Sequence, residues 1–352
     1  METERTWFTS DAMVRTAQEA ADLLASITRE REVDLDEYSS GGIVTELETR
    51  FADWLGKPAA IWMPTGTLAN HLAIRSLAGC DGRVVVQAES HLYRDSGDCA
   101  QRLSSLNLLP LGAGRPEFTA ADLQTEFDRC GVEKVPTRIG VVSIETPVRR
   151  LSCQLFDPGE LKRVIECARE NGARLHLDGA RLPIAAEFMG CSSAALAAEF
   201  DTVYISLYKS FHAQFGAVLA GEAELIADLV GERRKFGGAL VQAWMSAALA
   251  LHHLDGWEER FAVARRVFDD LCERLDSIEG LRVERLTHGA QAVHLHATDA
   301  EPAALHRELR VAGLELPAPL EGVFTMRFNE SLAGRDSREL SSAFARALGK
   351  AR

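Results

Sequence analysis

Short apolar runs alternate with helical patterns through the first two thirds of the chain. Arg83–Gln87 (RVVVQ), Ile139–Ile144 (IGVVSI), Arg174–Leu177 (RLHL), Thr202–Ile205 (TVYI) and Ala217–Ala220 (AVLA) are brief and continuous. They are rich in Val, Ile and Leu, which predicts strands covered on both faces. Pro158–Asn171 predicts a helix: Pro stands near its start, Leu161, Val164, Ile165 and Ala168 keep helical spacing, and Asn171-Gly172 stops it. Such alternation argues for an α/β fold, a mostly parallel sheet with helices on both faces. The pattern changes near Gly237. Long apolar helices follow (Ala243–Leu254, then Arg260–Leu275), and then short strands at Leu281–Val283, Ala292–Leu295 and Val323–Phe328, with a helix around Pro302–Ala312. A helix over Ala12–Ser26 is expected to pack on the main body. The expected organisation is an N-terminal helical segment (1–35), a large domain (36–265) and a small C-terminal α+β domain (266–352).

Composition narrows the partners. The 352 residues are 46% hydrophobic and 26% charged, enough to bury a core, and the formal net charge is -13. So acidic a chain argues against nucleic acid and anionic membranes, which need clustered Lys and Arg. Seven cysteines (Cys80, Cys99, Cys130, Cys153, Cys167, Cys191 and Cys272) are scattered without a Cys-x-x-Cys pair. That disfavours a disulfide framework or a zinc site, so no metal is expected, and free thiols fit a reducing cytoplasm. No apolar run reaches the ~18 residues of a membrane span. The segment Met1–Thr6 is charged and lacks the apolar stretch of a secretory signal.

Three short motifs carry candidate chemistry. Lys209 follows directly after a strand in Tyr204-Ile-Ser-Leu-Tyr-Lys-Ser. Aromatic and hydroxyl neighbours there can desolvate the amine and make it nucleophilic; alone, it reads as readily as a surface lysine. Asp178, in His176-Leu-Asp-Gly-Ala-Arg181, stands at the carboxyl end of a strand, where open α/β sheets bind ligands. It can hold a pyridinium nitrogen protonated or simply cap a helix, and Gly179 permits a close backbone approach. Thr65-Gly66-Thr67 lies between the run Ala59–Met63 and a helical pattern over Leu68–Ala78. That arrangement is either a phosphate seat at a helix start or a plain Thr N-cap. Together, in this order and ~110 and ~30 residues apart, the three supply what a pyridoxal 5′-phosphate (PLP) site needs.

At these residues the sequence resembles the threonine aldolase / β-eliminating lyase group of fold-type-I PLP enzymes. The resemblance runs from about Ile43 to Ala250, through Ile43–Ile74, Leu175–Ala186, Asp201–Gly221 and Glu232–Ala250. It implies a mostly parallel seven-stranded sheet, a Schiff base on Lys209 and a pyridinium partner in Asp178. It implies a phosphate turn at Thr65, Gly66 and Thr67, a stacking role for His91 and a place beside the cofactor for Ser206. Arg181 matches the arginine that pairs with the substrate carboxylate. Arg327 resembles a second such arginine, with a structural role as the alternative, and Ser10 echoes an N-terminal substrate segment. Arg234 and Lys235 resemble residues that reach a neighbouring subunit's phosphate, which implies a homodimer or homotetramer with shared active sites. Two departures stand out. The family's Glu-Asn-Thr-His-Asn is Glu145-Thr-Pro-Val-Arg149 here, so the second active-site histidine is replaced by Val148 or a neighbour. The family's Met-Arg-Gln is Leu240-Val-Gln242. The implied activity is cleavage of Cα–Cβ in a β-hydroxy amino acid, giving glycine and an aldehyde. The alternatives are β-elimination, another aldol or exchange reaction on an unusual amino acid, or a non-catalytic fold relative.

Overall fold

The buried runs form one seven-stranded sheet in the computed structural model, which describes residues 5–79 and 82–352. Cys80 and the charged start, Met1–Glu4, lie outside the described residues. Along the chain the strands are β1 (Ala59–Met63), β2 (Arg83–Gln87), β3 (Asn107–Leu111), β4 (Ile139–Glu145), β5 (Arg174–Asp178), β6 (Thr202–Ser206) and β7 (Ala217–Gly221). Their order across the sheet is β1-β7-β6-β5-β4-β2-β3. β7 runs antiparallel to both its neighbours, and every other pairing is parallel. The connection 207–216 explains the reversal: a parallel crossover needs a dozen or more residues. β4, β6 and β7 are buried at every position, which is why their sequences run apolar without alternating.

The helix Gly66–Ala78 begins directly past β1. Its residues Ala69, Leu72 and Ala73 pack into a cluster with Ile61, Met63, Tyr204, Ala217 and Leu219 of the sheet. Thr65 caps it, the side chain accepting from Leu68 N–H at 3.2 Å. Its first N–H groups are thus held at the carboxyl end of the sheet.

The chain divides into two units. One is Ala21–His253; the other joins the residues up to Ala20 with Leu254–Arg352. These boundaries differ from the expected ones at 35 and 265. Thr6–Trp7 pairs in parallel with Leu314–Glu315, which draws the chain's start into the smaller unit. The helix Trp257–Asp276 stacks Phe261 and Phe268 on Phe328, with ring centroids 5.1 and 4.5 Å apart, so it belongs to the smaller unit as well. That unit is α+β, as expected. Its antiparallel sheet is ordered β10-β9-β8, from β8 (Leu281–Arg285), β9 (Ala292–Ala297) and β10 (Val323–Arg327). The first helix spans Ala17–Glu30 rather than Ala12–Ser26. Thr16 and Glu19 set its start: Thr16 N–H donates to Glu19 Oε2 at 2.6 Å, and Glu19 N–H to Thr16 Oγ1 at 3.2 Å. Among the described residues no helix is long and apolar enough to cross a membrane.

Candidate active site

Strands whose backbones end side by side present their last side chains to one crevice. The register places Glu145 of β4 opposite Asp178 of β5, and Asp178 opposite Tyr204 of β6. A cavity of about 220 Å³ opens there, within the unit Ala21–His253. Seven residues proposed from the sequence line it: Thr65, Gly66, Thr67, His91, Asp178, Arg181 and Lys209. Lys209 is half-buried in the short turn Leu207–Ser210 that follows β6, its Nζ 5.5 Å from the centre of the Tyr208 ring.

Asp178 is buried and doubly held. Asn70 Nδ2 donates to Oδ2 at 2.6 Å, and Ala180 N–H donates to Oδ1 at 3.2 Å. Asn70 Oδ1 faces His176 Nε2 at 2.9 Å, and His176 Nδ1 faces Thr202 Oγ1 at 2.9 Å. A carboxylate only accepts, so the Asn70 amide nitrogen must face Asp178 and its carbonyl must face His176. Nε2 of His176 therefore carries the proton, and Nδ1 is left to accept from Thr202. Burial keeps this ring neutral, pushing its pKa down to about 4 against the pull of the Asp178 charge.

Glu145 was not singled out from the sequence, and it lines the same cavity. Its backbone is fixed by the Gln87 amide, which accepts from Glu145 N–H at 2.8 Å and donates to its C=O at 2.7 Å. Its carboxylate accepts from His91 N–H at 2.6 Å and from Arg149 N–H at 3.0 Å. Burial, and then the charge of Asp178, push this carboxyl upward to about 7. Tyr204 is buried beside Asp178, and burial raises its phenol well above the usual value. Glu145 would have been found only by knowing that the ends of β4 and β5 lie in register.

The glycines of the motifs have different reasons. A Cβ on Gly66 would collide with the Tyr204 hydroxyl, so Gly66 lets the helix start come close to β6. Gly179 admits the backbone carbonyl of Tyr204, which would lie 2.9 Å from a Cβ. The close approach expected at Gly179 is thus made by the neighbouring strand.

Several proposed residues lie elsewhere. Val148, at the family histidine's position, is fully buried and does not line the cavity; its neighbour Arg149 does. Ser206 is fully buried at the end of β6 and is not among the cavity walls. Arg234 and Lys235 end the helix Ala223–Lys235 on the surface, Arg234 lying 4.9 Å over the Tyr38 ring and Lys235 bonded to Glu232 at 2.6 Å. Val241, at the family's arginine position, is exposed. Arg327 and Ser10 belong to the smaller unit, where Arg327 Nη1 lies 3.6 Å from Asp11 Oδ1 and Ser10 Oγ donates to Ala12 C=O at 2.6 Å.

Comparison with known proteins fits this geometry. Residues 8–298 match the family model for beta-eliminating lyases. A low-specificity L-threonine aldolase of Candida albicans is 28% identical over 223 residues, 62% of this chain and 58% of that protein. Its counterpart in Saccharomyces cerevisiae is 27% identical over 252 residues, covering 70% of this chain and 64% of its own length. The match thus spans less than two thirds of either relative. A Listeria monocytogenes crystal structure, provisionally named an L-allo-threonine aldolase, superposes with a TM-score of 0.81 at 25% identity, over 100% of this chain and 97% of that one. The fold is that of the fold-type-I enzymes.

Proposed function

From membership of the beta-eliminating lyase family, to which this chain belongs, we propose a PLP-dependent carbon–carbon lyase of the threonine-aldolase type. Its reaction is cleavage of Cα–Cβ in a β-hydroxy amino acid to glycine and an aldehyde. The observation that carries this reading is one cavity lined by Thr65-Gly66-Thr67, Asp178, Lys209, His91 and Arg181.

The donor set fits PLP. Unbonded N–H groups at the start of the helix Gly66–Ala78, beside two Thr hydroxyls, suit a phosphate. A buried carboxylate held by Asn70 suits a protonated ring nitrogen, and the Lys209 amine suits an aldehyde. When bound, the cofactor supplies an electron sink for the pair left on Cα.

The chain's own residues do the rest. Arg181, nearly fully buried, fixes the substrate α-carboxylate and so the orientation of Cα. Retro-aldol cleavage needs a base for the β-hydroxyl. We assign that proton to His91, the cavity histidine, whose backbone N–H is anchored on Glu145 and whose Nδ1 lies 3.7 Å from Asp95. Lys209, whose amine would hold the cofactor, lines the same cavity and would return a proton to Cα of glycine. Arg234 and Lys235 are exposed and do not line their own cavity, which supports their reaching the phosphate of a second copy in a homo-oligomer. For Ser206, Arg327 and Ser10 the proposed roles rest on the family resemblance alone, since none of them lines this cavity. The cytoplasm remains the proposed compartment.

Incubation with L-threonine, L-allo-threonine and phenylserine tests the reading. Glycine and the matching aldehyde are expected; a 2-keto acid with ammonia and no glycine would show β-elimination instead. Lys209→Ala should also lose the ~420 nm absorbance of lysine-bound cofactor.

A further inference from the structure

The turn after β4 departs from the family's pattern, and it brings a cation into the cavity. Arg149 Nη2 donates to Asp95 Oδ2 at 2.6 Å, and Arg150 Nη1 donates to Asp95 Oδ1 at 3.1 Å. One carboxylate thus serves two guanidinium groups. Arg150 also lies 3.9 Å from Glu89, which pairs with Arg94 at 3.3 Å. Three arginines (Arg94, Arg149, Arg150) against two acids (Glu89, Asp95) leave 3 − 2 = +1 at this rim. Arg149 is also fixed at its root, where its N–H donates to the buried Glu145 at 3.0 Å. Its side chain remains 44% exposed and lines the cavity that holds Lys209 and Arg181.

Two arginines therefore reach one cavity from adjoining strand ends, Arg181 after β5 and Arg149 after β4. An amino acid has one α-carboxylate, which occupies one of them. A methyl or phenyl group on Cβ would shield Arg149 from water and offer it no acceptor, whereas an anion there adds charge-assisted hydrogen bonds to the one it makes with Asp95. We propose that Arg149 binds an anionic group on Cβ, so that the substrates are β-hydroxy amino acids with an acidic β-substituent. This rests on the lyase reading above. With a carboxylate as that group, the substrate is β-hydroxyaspartate. The Cα–Cβ bond breaks, its electron pair stays on Cα and takes up a proton, and the β-hydroxyl loses its proton as the carbonyl forms. The products are glycine and glyoxylate.

The test compares kcat/KM for β-hydroxyaspartate, threonine and phenylserine in the purified holoenzyme, with aldehyde and glycine both trapped. The wild-type enzyme is expected to favour β-hydroxyaspartate by roughly tenfold or more. Arg149→Gln should lower that preference by a similar factor, through KM, and Arg149→Lys should restore part of it. Melting temperatures establish that both variants fold. Succinate, a non-reacting diacid, should inhibit the wild type more strongly than Arg149→Gln. A wild-type preference for threonine, or an equal loss on all three substrates in Arg149→Gln, overturns the assignment of Arg149 and leaves the lyase reading standing. Glycine from none of the three overturns both.

Discussion

Asp178 shows how little of a site need come from its own motif. Its carboxylate is oriented by Asn70, from a helix 108 residues earlier, and Asn70 is oriented by His176, two positions before Asp178 on the same strand. Asn70→Leu would leave Asp178 and the protonated His176 nitrogen both buried without this partner. At about 1–3 kcal/mol for each of the two stranded groups, the variant should lose roughly 2–6 kcal/mol in urea unfolding. It should also bind PLP more weakly, read by titrating the apoprotein at ~420 nm. A stability loss with unchanged cofactor affinity would make the network structural only. Gly66→Ala tests the other wall. The new Cβ meets the Tyr204 hydroxyl, and overpacking of this kind costs about 1–3 kcal/mol. Tyr204→Phe in the same chain should recover part of the loss in melting temperature. The site's contiguous motifs were legible in the sequence because each combines a strand end, a turn and a helix start in one short stretch. Glu145 and Arg149 were not, because their place depends on which strands lie side by side and on where Thr146-Pro147 turns the chain.

The elements show a similar division. Interior parallel strands announce themselves through unbroken Val, Ile and Leu. β3, at the sheet edge, reads NLLPL with its first residue exposed and a proline inside, so its sequence carries no interior-strand signature; proline is tolerated there because an edge strand can spare a ladder bond. The opposite edge, β1, is protected by side chains that no strand pattern reveals. Trp62 N–H donates to Glu48 Oε1 at 2.8 Å, and Trp62 C=O accepts from Arg233 Nη1 at 2.6 Å. Two helices, Gly42–Leu55 and Ala223–Lys235, thus close the free backbone of one strand. Arg233 is 1% exposed and also donates to Ser39 C=O at 3.0 Å. Arg233→Met strands the buried carbonyls of Trp62 and Ser39, and at about 1–3 kcal/mol for each it should cost roughly 2–6 kcal/mol in unfolding free energy. Burial raises the Glu48 carboxyl from its usual 4.5 to about 7, against the opposing Trp62 N–H and Arg233 charge. A raised carboxyl stabilises the fold fully below its unfolded value, and that contribution is lost as pH climbs through the folded value. Between pH 5 and 8, Glu48→Gln should gain on the wild type by roughly 2–3 kcal/mol, measured by parallel denaturant titrations. A constant difference across that range would show that Glu48 is ionised throughout.

For the molecule as a whole, the open matter is how many copies make a working site. The switch from alternating strands and helices to the later α+β pattern was readable in the sequence. The membership of the chain's start was not, since a two-residue strand such as Thr6–Trp7 leaves no periodicity to read. Association is argued from the surface of Ala21–His253. Tyr38 N–H donates to Val241 C=O at 3.0 Å, which sets two exposed apolar side chains together, and the Arg234 guanidinium covers the Tyr38 ring. Apolar groups clustered around an arginine that does not line its own cavity suit a contact between copies better than open water. Val241→Glu places a charge in that contact without touching the cavity walls. The wild-type holoenzyme is expected to scatter light with at least twice the mass of one chain. Val241→Glu should shift that mass toward a single chain and lose PLP affinity in parallel, because Arg234 and Lys235 would no longer reach a neighbour's phosphate. Arg234→Ala should lose the affinity while keeping the mass. A wild-type protein that runs as one chain and is fully active at nanomolar concentration would remove the shared site from the mechanism, leaving each cavity to hold its phosphate on Thr65, Gly66 and Thr67 alone.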